Sequence, residues 1–289
     1  MEKNLTHGSV FKNIVFFSLP YLLSYFLQTL YGMADLFIIG QFASVADTTA
    51  VSVGSQIMHM LTVMIVGLAM GTTVSIANAV GAGDRKRAAQ SIGNTVTLFM
   101  SLSVVLMGLL LLSVRPITAV MATPPQAVAS TVSYLTVCFL GIPFITAYNI
   151  LASVFRGMGD SKSPMYFIAV ACVCNIGLDF LFIGALGLGP VGAALGTTLS
   201  QTVSVALSLC VIVKKRSIGL SKSDFKPKKA VMRRLLSIGL PVAAQDGLIQ
   251  IAFFVITVIA NSRGLNTAAA AMPGSVCSGT GSTAHSTHT

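Results

Sequence analysis

The feature that most constrains this chain is a series of apolar segments, each long enough to cross a lipid bilayer as a helix. The segment at about 92–114, for instance, contains no charged residue, and about 20 apolar residues suffice to span the hydrocarbon core. Charged residues make up 9% of the sequence and hydrophobic residues 54%, whereas a soluble domain carries about 25% charged residues. The sequence therefore predicts an all-α membrane protein, because a β-barrel would show short alternating segments.

Charged or glycine- and proline-rich turns divide the chain into seven predicted spans. The spans cover about residues 14–39, 51–79, 92–114, 130–153, 164–185, 190–213 and 237–260. The predicted breaks are the charged segments 81–87 and 156–164, the pairs Arg115-Pro116 and Pro124-Pro125, the glycine-rich hairpin 184–190 and the polar loop 214–234.

The positive charge lies on one side of these spans. The chain has 18 Lys and Arg residues and a formal net charge of +10. Sixteen of the 18 lie in the N-terminal tail and in the loops after spans two, four and six, whereas Arg115 and Arg263 lie on the other side. Because short cytoplasmic loops are enriched in Lys and Arg, we expect a multi-pass protein of the cell membrane with a cytoplasmic N-terminus. The positive net charge is then explained by the orientation of the chain in the membrane. It indicates membrane lipid as a partner and argues against binding to nucleic acid.

Three of the eight acidic residues fall within predicted spans: Asp35, Asp179 and Asp246. Ionisable residues inside a membrane are costly and usually face a bundle interior or a wet cavity, so they are candidate functional residues. The alternative for Asp35 and Asp179 is simple solvation near the interface. For Asp246, close to Pro241 and the cytoplasmic end of span seven, a solvated or structural role is the favoured interpretation.

Polar residues surround two of these carboxylates at helical spacing. They share a face within each span, namely Gln28, Tyr31 and Asp35 in span one, Asn175 and Asp179 in span five, and Thr197 and Gln201 in span six. A carboxylate held among amides and hydroxyls in a poorly hydrated cavity can exchange a proton near neutral pH or coordinate Na⁺ with hard oxygen ligands. The pattern therefore predicts a cation site.

Several glycine motifs indicate packing and turns. The segment from Gly187 to Gly192 has the letters of a dinucleotide-binding motif but follows no strand, so we interpret it as a hairpin. The pairs Gly67/Gly71 and Gly192/Gly196 are typical of close helix contacts, with packing favoured over mechanism.

No nucleophile–base arrangement and no metal-ligand spacing of His or Cys is present. We therefore expect no enzyme, and no cofactor or metal beyond H⁺ or Na⁺ as the coupling ion.

The start of span one recurs at span seven. Ser18-Leu-Pro20 in span one is matched by Gly239-Leu-Pro241, and residues 46–50 are matched by residues 265–269. Membrane transporters often contain such repeats. We therefore predict a six-helix lobe at 1–213, a basic cytoplasmic loop at 214–236, the first helix of a second lobe at 237–262 and a disordered tail at 271–289. A truncated or frame-shifted longer protein would explain this tail, and a short protein that forms a homodimer is the alternative.

Three motifs of this chain resemble those of the MATE (multidrug and toxin extrusion) transporters, over about residues 10–270. They are Gln28-x-x-Tyr31-x-x-x-Asp35-x-x-x-x-Gly40, Arg156-Gly-Met-Gly-Asp-Ser-Lys-Ser-Pro164, and Asn175-x-x-x-Asp179 followed by Gly189-x-x-Gly192-Ala-Ala. The resemblance implies a transporter of two six-helix lobes, of which this chain is a MATE-like half-transporter with a seventh transmembrane helix. It also implies export of amphipathic, cationic drugs or toxins in exchange for H⁺ or Na⁺ by alternating access.

The resemblance also implies which residues bind the coupling ion. In the DinF-like branch of the family, polar residues on helices one, four, five and six of the first lobe form a proton or sodium site. The matching positions here are Asp35, Asn175 and Asp179 by motif, Thr197 by spacing and Tyr134 on helix four. Gln28, Tyr31 and Gln201 are the predicted polar residues of the substrate cavity or helix faces.

Other functions remain as alternatives. A lipid-linked saccharide flippase of related architecture would be expected to carry cationic residues within its cavity. No Lys or Arg lies within a predicted span, which favours small organic cations as cargo. A seven-helix receptor would have its N-terminus outside, against the Lys and Arg distribution. A non-functional fragment lacking the second lobe is the last alternative.

Overall fold

The structure is a computed structural model that describes residues 9–121, 123–215 and 221–262, and these residues form helices joined by turns, without a strand. The α-helices are α1 Val10–Phe42, α2 Val45–Gly81, α3 Arg85–Val120, α4 Val128–Leu140, α5 Ile142–Gly157, α6 Lys162–Asp179, α7 Gly189–Lys215 and α8 Lys229–Ser262. A π-helical turn, Phe180–Ala185, continues α6, and a 3₁₀ turn, Lys222–Phe225, precedes α8.

The predicted all-α membrane fold is confirmed. Within the described residues, six helices are long and apolar enough to cross a membrane, and α4 and α5 together form a seventh candidate span. This pair is bent by 48°, so the predicted continuous span at 130–153 is in fact broken at Gly141. Pro143 lies in the first turn of α5, where it has no N–H group to continue the hydrogen bonds of α4.

Prolines interrupt the helices less than the sequence suggests. A break was expected at Arg115-Pro116, but α3 continues through both residues. Pro20 and Pro241 likewise lie inside α1 and α8. Proline is tolerated in membrane helices because neighbouring helices and local adjustments satisfy the freed carbonyl groups. Helix α8 therefore begins well before its proline, at Lys229, and includes part of the basic segment 214–236.

Helix α2 lies against most of the bundle and contacts α8 through its backbone. A Cβ atom at Gly71 would overlap the carbonyl oxygen of Leu235, and one at Gly239 would overlap the carbonyl oxygen of Leu68. Small residues allow two helix backbones to approach this closely in a membrane. The predicted packing role of the Gly67/Gly71 pair therefore agrees with the contact between α2 and α8.

The segment that precedes α8 is fixed to α3 by hydrogen bonds. Asn94 donates from Nδ2 to the carbonyl oxygen of Asp224 at 3.1 Å and accepts from the backbone N–H of Lys228 at 2.6 Å. Thr97 donates from Oγ1 to the carbonyl oxygen of Phe225 at 2.8 Å. The described part of the basic loop is therefore docked on the six-helix unit.

Some predictions lie outside the described residues. These are the disordered tail at 271–289, the repeated segment at 265–269 and the position of Arg263. The division of the chain into a lobe, a loop and the first helix of a second lobe stays a prediction.

Candidate cation site

The two carboxyl groups of Asp35 and Asp179 lie side by side in the interior of the helix bundle. Asp35 belongs to the last third of α1, and Asp179 is the last residue of α6. Packing of α1 against α6 brings the two together, and each carboxyl group lies within interaction range of the other. Their side chains are 3% and 0% exposed, so the solvated interpretation of these two residues is wrong.

Two further predicted residues belong to the same cluster. Thr197 of α7 donates a hydrogen bond from Oγ1 to Asp35 Oδ2 at 3.2 Å. Asn175 lies one turn before Asp179 on α6, is 1% exposed and sits beside Asp35. Helices α1, α6 and α7 thus place four of the predicted polar residues together. Their role in binding a coupling ion stays a prediction.

Many polar atoms of this cluster lack a hydrogen-bond partner among the described protein atoms. They are Asp35 Oδ1, both carboxyl oxygens of Asp179, both amide atoms of Asn175 and Oε1 of Gln201. The side chains of Asp35, Asp179 and Asn175 are neighbours, and these atoms nevertheless have no hydrogen-bond partner among the described protein atoms. A buried carboxylate without a partner is costly. The oxygen-rich donor set therefore fits a proton or a hard cation.

Tyr134 lies within electrostatic range of Asp35, and its hydroxyl group is held by α2. It is 3% exposed, and its hydroxyl is hydrogen-bonded to Ser55 Oγ at 3.0 Å. Its ring lies directly against Gly54, since a Cβ atom there would overlap the ring. Asp35 is close enough to act on the phenol electrostatically. Helix α2 therefore fixes the orientation of Tyr134, and the role of Tyr134 in the cation site stays a prediction.

The residues assigned to the substrate cavity or helix faces differ in their distance from the carboxyl pair. Tyr31 lies within interaction range of Asp35 and Gln201, and Gln201 is buried on α7. Gln28 is half-buried on α1, seven residues before Asp35, which corresponds to about 10 Å along a helix axis. Tyr31 and Gln201 therefore border the cluster and Gln28 does not.

Comparison with known proteins shows the family to which this chain belongs. A family model described as MatE matches residues 20–181, which is more than half of the chain. The chain belongs to the MATE family. Members of the MATE family are transporters and not enzymes, so the prediction that this chain is not an enzyme is confirmed.

Individual relatives and one solved structure extend the match. The chain is 31% identical to "Probable multidrug resistance protein YpnP" of Bacillus subtilis, over 90% of this chain and 58% of the relative. It is also 31% identical to "Probable multidrug resistance protein NorM" of Thermotoga maritima, over 81% of this chain and 51% of the relative. A structure described as an outward-facing conformation of a multidrug resistance MATE family transporter of the MOP superfamily has a TM-score of 0.82 and 27% identity, covering 91% of this chain and 59% of that one. This MATE chain thus spans just over half the length of its relatives.

Sequence reasoning misplaced one cationic residue of this MATE protein. Arg156 was expected in a loop, but it lies in the last turn of α5. Its guanidinium group lies 5.1 Å from the ring centroid of Tyr21 and donates a hydrogen bond to Ser153 Oγ at 3.1 Å. It lines a cavity of about 110 Å³ with Phe17, Tyr21, Val66, Met70, Thr73 and Ser153. A cationic group therefore faces a cavity between α1, α2 and α5.

The spacing of polar residues also missed two neighbours of the site. Ser55 holds the hydroxyl of Tyr134, and Gly196 lies against Asp179. The position of Gly196 next to Thr197 could have indicated that it lies at the site, but the Gly192/Gly196 spacing was interpreted as helix packing. Among the described residues, no group of three or more His, Cys, Asp or Glu side chains could hold a metal ion.

Proposed function

We propose that this chain provides the cation-coupling lobe of a multidrug exporter that exchanges amphipathic organic cations for H⁺ or Na⁺. The buried Asp35–Asp179 pair is the observation that carries the proposal. Two adjacent carboxyl groups with unpartnered oxygens inside a membrane bundle are costly unless a proton or cation offsets their charge. Carboxylate, amide and hydroxyl oxygens from Asp35, Asp179, Asn175 and Thr197 would hold that ion.

The same cluster suggests how ion binding would act on transport. The carboxyl groups of the pair belong to α1 and α6, and the hydroxyl that holds Asp35 belongs to α7. Neutralising the pair changes the electrostatic interaction between these helices. In an alternating-access transporter, that change would favour release of the organic cation to the outside as two lobes rock. A second lobe or a second copy of this chain would supply the other wall of the pathway.

Transport of the fluorescent cation ethidium into everted membrane vesicles tests this proposal. With an imposed proton or sodium gradient, we expect uptake that depends on the expressed chain and is lost in the Asp179→Asn variant. Asp84→Asn is the matched control, because Asp84 caps α3 by accepting from the N–H of Arg87 at 2.9 Å and asparagine caps helices equally well. Uptake that depends on the expressed chain and is equal in the two variants would contradict the proposal.

A binding measurement covers the case in which this chain alone does not transport. The affinity of the purified chain for ethidium is measured by fluorescence at several pH values and Na⁺ concentrations. We expect the affinity to depend on one of the two ions, and this dependence to be absent in Asp179→Asn. Ethidium binding that is insensitive to both ions would contradict the coupling role.

Export of a lipid-linked, anionic saccharide is a second candidate, favoured by Arg156. Its guanidinium group lines a partly open cavity between α1, α2 and α5, whereas the sequence suggested that no cationic residue lay within a span. The two candidates differ in the effect of Arg156→Gln. A flippase for anionic cargo would lose substrate binding, whereas an exporter of organic cations would keep ethidium uptake.

A further inference from the structure

Gly196 of α7 lies in direct contact with one of the two site carboxyl groups. A Cβ atom at this position would overlap Asp179 Oδ1, and it would lie 3.4 Å from Asp179 Cγ and 3.5 Å from Asn175 Nδ2. The next residue, Thr197, donates its hydroxyl to Asp35. Two adjacent residues of α7 therefore border the two carboxyl groups. Gly196 leaves the space that the Asp179 carboxyl group occupies, and Thr197 donates a hydrogen bond to Asp35.

We propose that Gly196 is a positioning residue for the cation site, because its missing side chain allows the Asp179 carboxyl group to lie beside Asp35. This inference rests on the proposed function. The interaction energy of two charges varies inversely with their separation. The separation of the two carboxyl groups therefore sets how strongly they bind a shared proton or cation. Any side chain at position 196 would change this separation or the path of α7.

The neighbouring glycine of the same motif shows a different kind of contact. A Cβ atom at Gly192 would lie 3.0 Å from the Cβ atom of Phe182 and 3.2 Å from that of Leu188. These are apolar side-chain contacts, as expected for helix packing. The interpretation of the Gly192/Gly196 pair as packing therefore fits Gly192, whereas Gly196 contacts the ionisable pair.

Infrared difference spectroscopy of the purified chain tests the proposal. The carboxyl C=O band is followed as pH or Na⁺ concentration changes, and the part assigned to the pair is identified by its loss in Asp179→Asn. For Gly196→Ala we expect the midpoint of this titration to move by at least about one pH unit or, for Na⁺, tenfold in concentration. Gly177→Ala is the matched control, because Gly177 lies on α6, two residues before Asp179, and a Cβ atom there would meet nothing within 4 Å.

The outcomes separate this inference from the proposed function. If the wild-type band responds to neither ion, the cation site itself is contradicted. If the wild type responds but Gly196→Ala titrates as Gly177→Ala does, the positioning role is overturned while the cation site stands. Should Gly196→Ala be too unstable to titrate, its effect on the melting temperature is compared in wild-type and Asp179→Ser backgrounds. A loss that disappears when the carboxyl group is removed supports the contact with Asp179, and an equal loss in both backgrounds overturns it.

Discussion

Thr197 of α7 donates a hydrogen bond to Asp35 of α1 across 162 residues of sequence, with Oγ1 and Oδ2 3.2 Å apart. The bond fixes one carboxyl oxygen of Asp35, while its other oxygen has no partner among the described protein atoms. Oδ1 is therefore the oxygen of Asp35 that is available to a proton or cation. The bond also ties the first helix of the chain to the last helix of the six-helix unit at the site itself.

Removal of this hydroxyl group should weaken the cation-dependent step. We expect Thr197→Val to raise the H⁺ or Na⁺ concentration for half-maximal ethidium uptake by about tenfold or more, because a hydrogen bond to a charged group contributes about 1.5–3 kcal/mol. Thr197→Ser keeps the hydroxyl and should retain the wild-type value. Identical shifts in the two variants would show that the hydroxyl is not the group that matters.

A second prediction concerns the contact between Gly54 and Tyr134. A Cβ atom at Gly54 would overlap Cδ1 of the Tyr134 ring, which has no free space because the residue is buried. We therefore expect Gly54→Ala to lower the free energy of unfolding by about 1–3 kcal/mol, as overpacking of a core does. Thermal unfolding in detergent measures the change.

Gly108→Ala is the control for this second prediction. A Cβ atom at Gly108 on α3 would meet nothing within 4 Å, and alanine is the better helix former. We expect this variant to be as stable as the wild type or slightly more so. A similar loss of stability in both variants would mean that the Tyr134 ring does not fill the space beside Gly54.

The sequence predicted the membrane fold well because apolar length and charge distribution are local properties of a chain. It failed where tertiary context decides. Nothing in the sequence beside Pro116 shows that α3 would continue, since that depends on neighbouring helices that satisfy the freed backbone group. The break between α4 and α5 is the opposite case, in which a predicted continuous span is interrupted. Gly141 and Pro143 lie close together there, but the apolar run around them is long enough to predict a single span.

The candidate site also shows that local sequence properties were predictable and that tertiary contacts were not. Periodicity on single helices identified Asp35, Asn175, Asp179 and Thr197, since polar residues in an apolar span are conspicuous. It gave no information about which helices meet. Gly196 was missed for that reason, because a glycine contributes through the space it leaves and its neighbour across that space is known only from the fold.

A third prediction concerns the close contact between α2 and α8. An added Cβ at Gly239 would overlap the carbonyl oxygen of Leu68, and a backbone carbonyl cannot move aside as a flexible side chain can. We expect Gly239→Ala to lower the free energy of unfolding by about 1–3 kcal/mol, measured by thermal unfolding in detergent. The control on the same helix is Gly247→Ala, whose Cβ would meet the side chain of Met64 at an ordinary 3.6 Å. If both variants have the melting temperature of the wild type, Gly239 of α8 does not pack directly against the backbone of α2.

The last prediction concerns the attachment of the basic loop to α3. Asn94 makes two hydrogen bonds to the backbone of this loop, to Asp224 and from Lys228. In Asn94→Ala both are lost, and at about 1 kcal/mol for each bond we expect the loop to open more than tenfold more often. Trypsin cleavage after Lys228 should accelerate by a similar factor, because proteolysis follows the population of the open form when opening and closing are fast.

Vesicle orientation makes this last experiment a test of topology as well. With a cytoplasmic loop, cleavage occurs in everted vesicles and not in right-side-out vesicles, whereas the reverse pattern would place the N-terminus outside. Asn78→Ala is the control, since Asn78 is an exposed residue near the end of α2 and should leave the cleavage rate unchanged. Equal cleavage rates in Asn94→Ala and Asn78→Ala would mean that Asn94 does not hold the loop, and that the start of α8 is positioned by its contact with α2 instead.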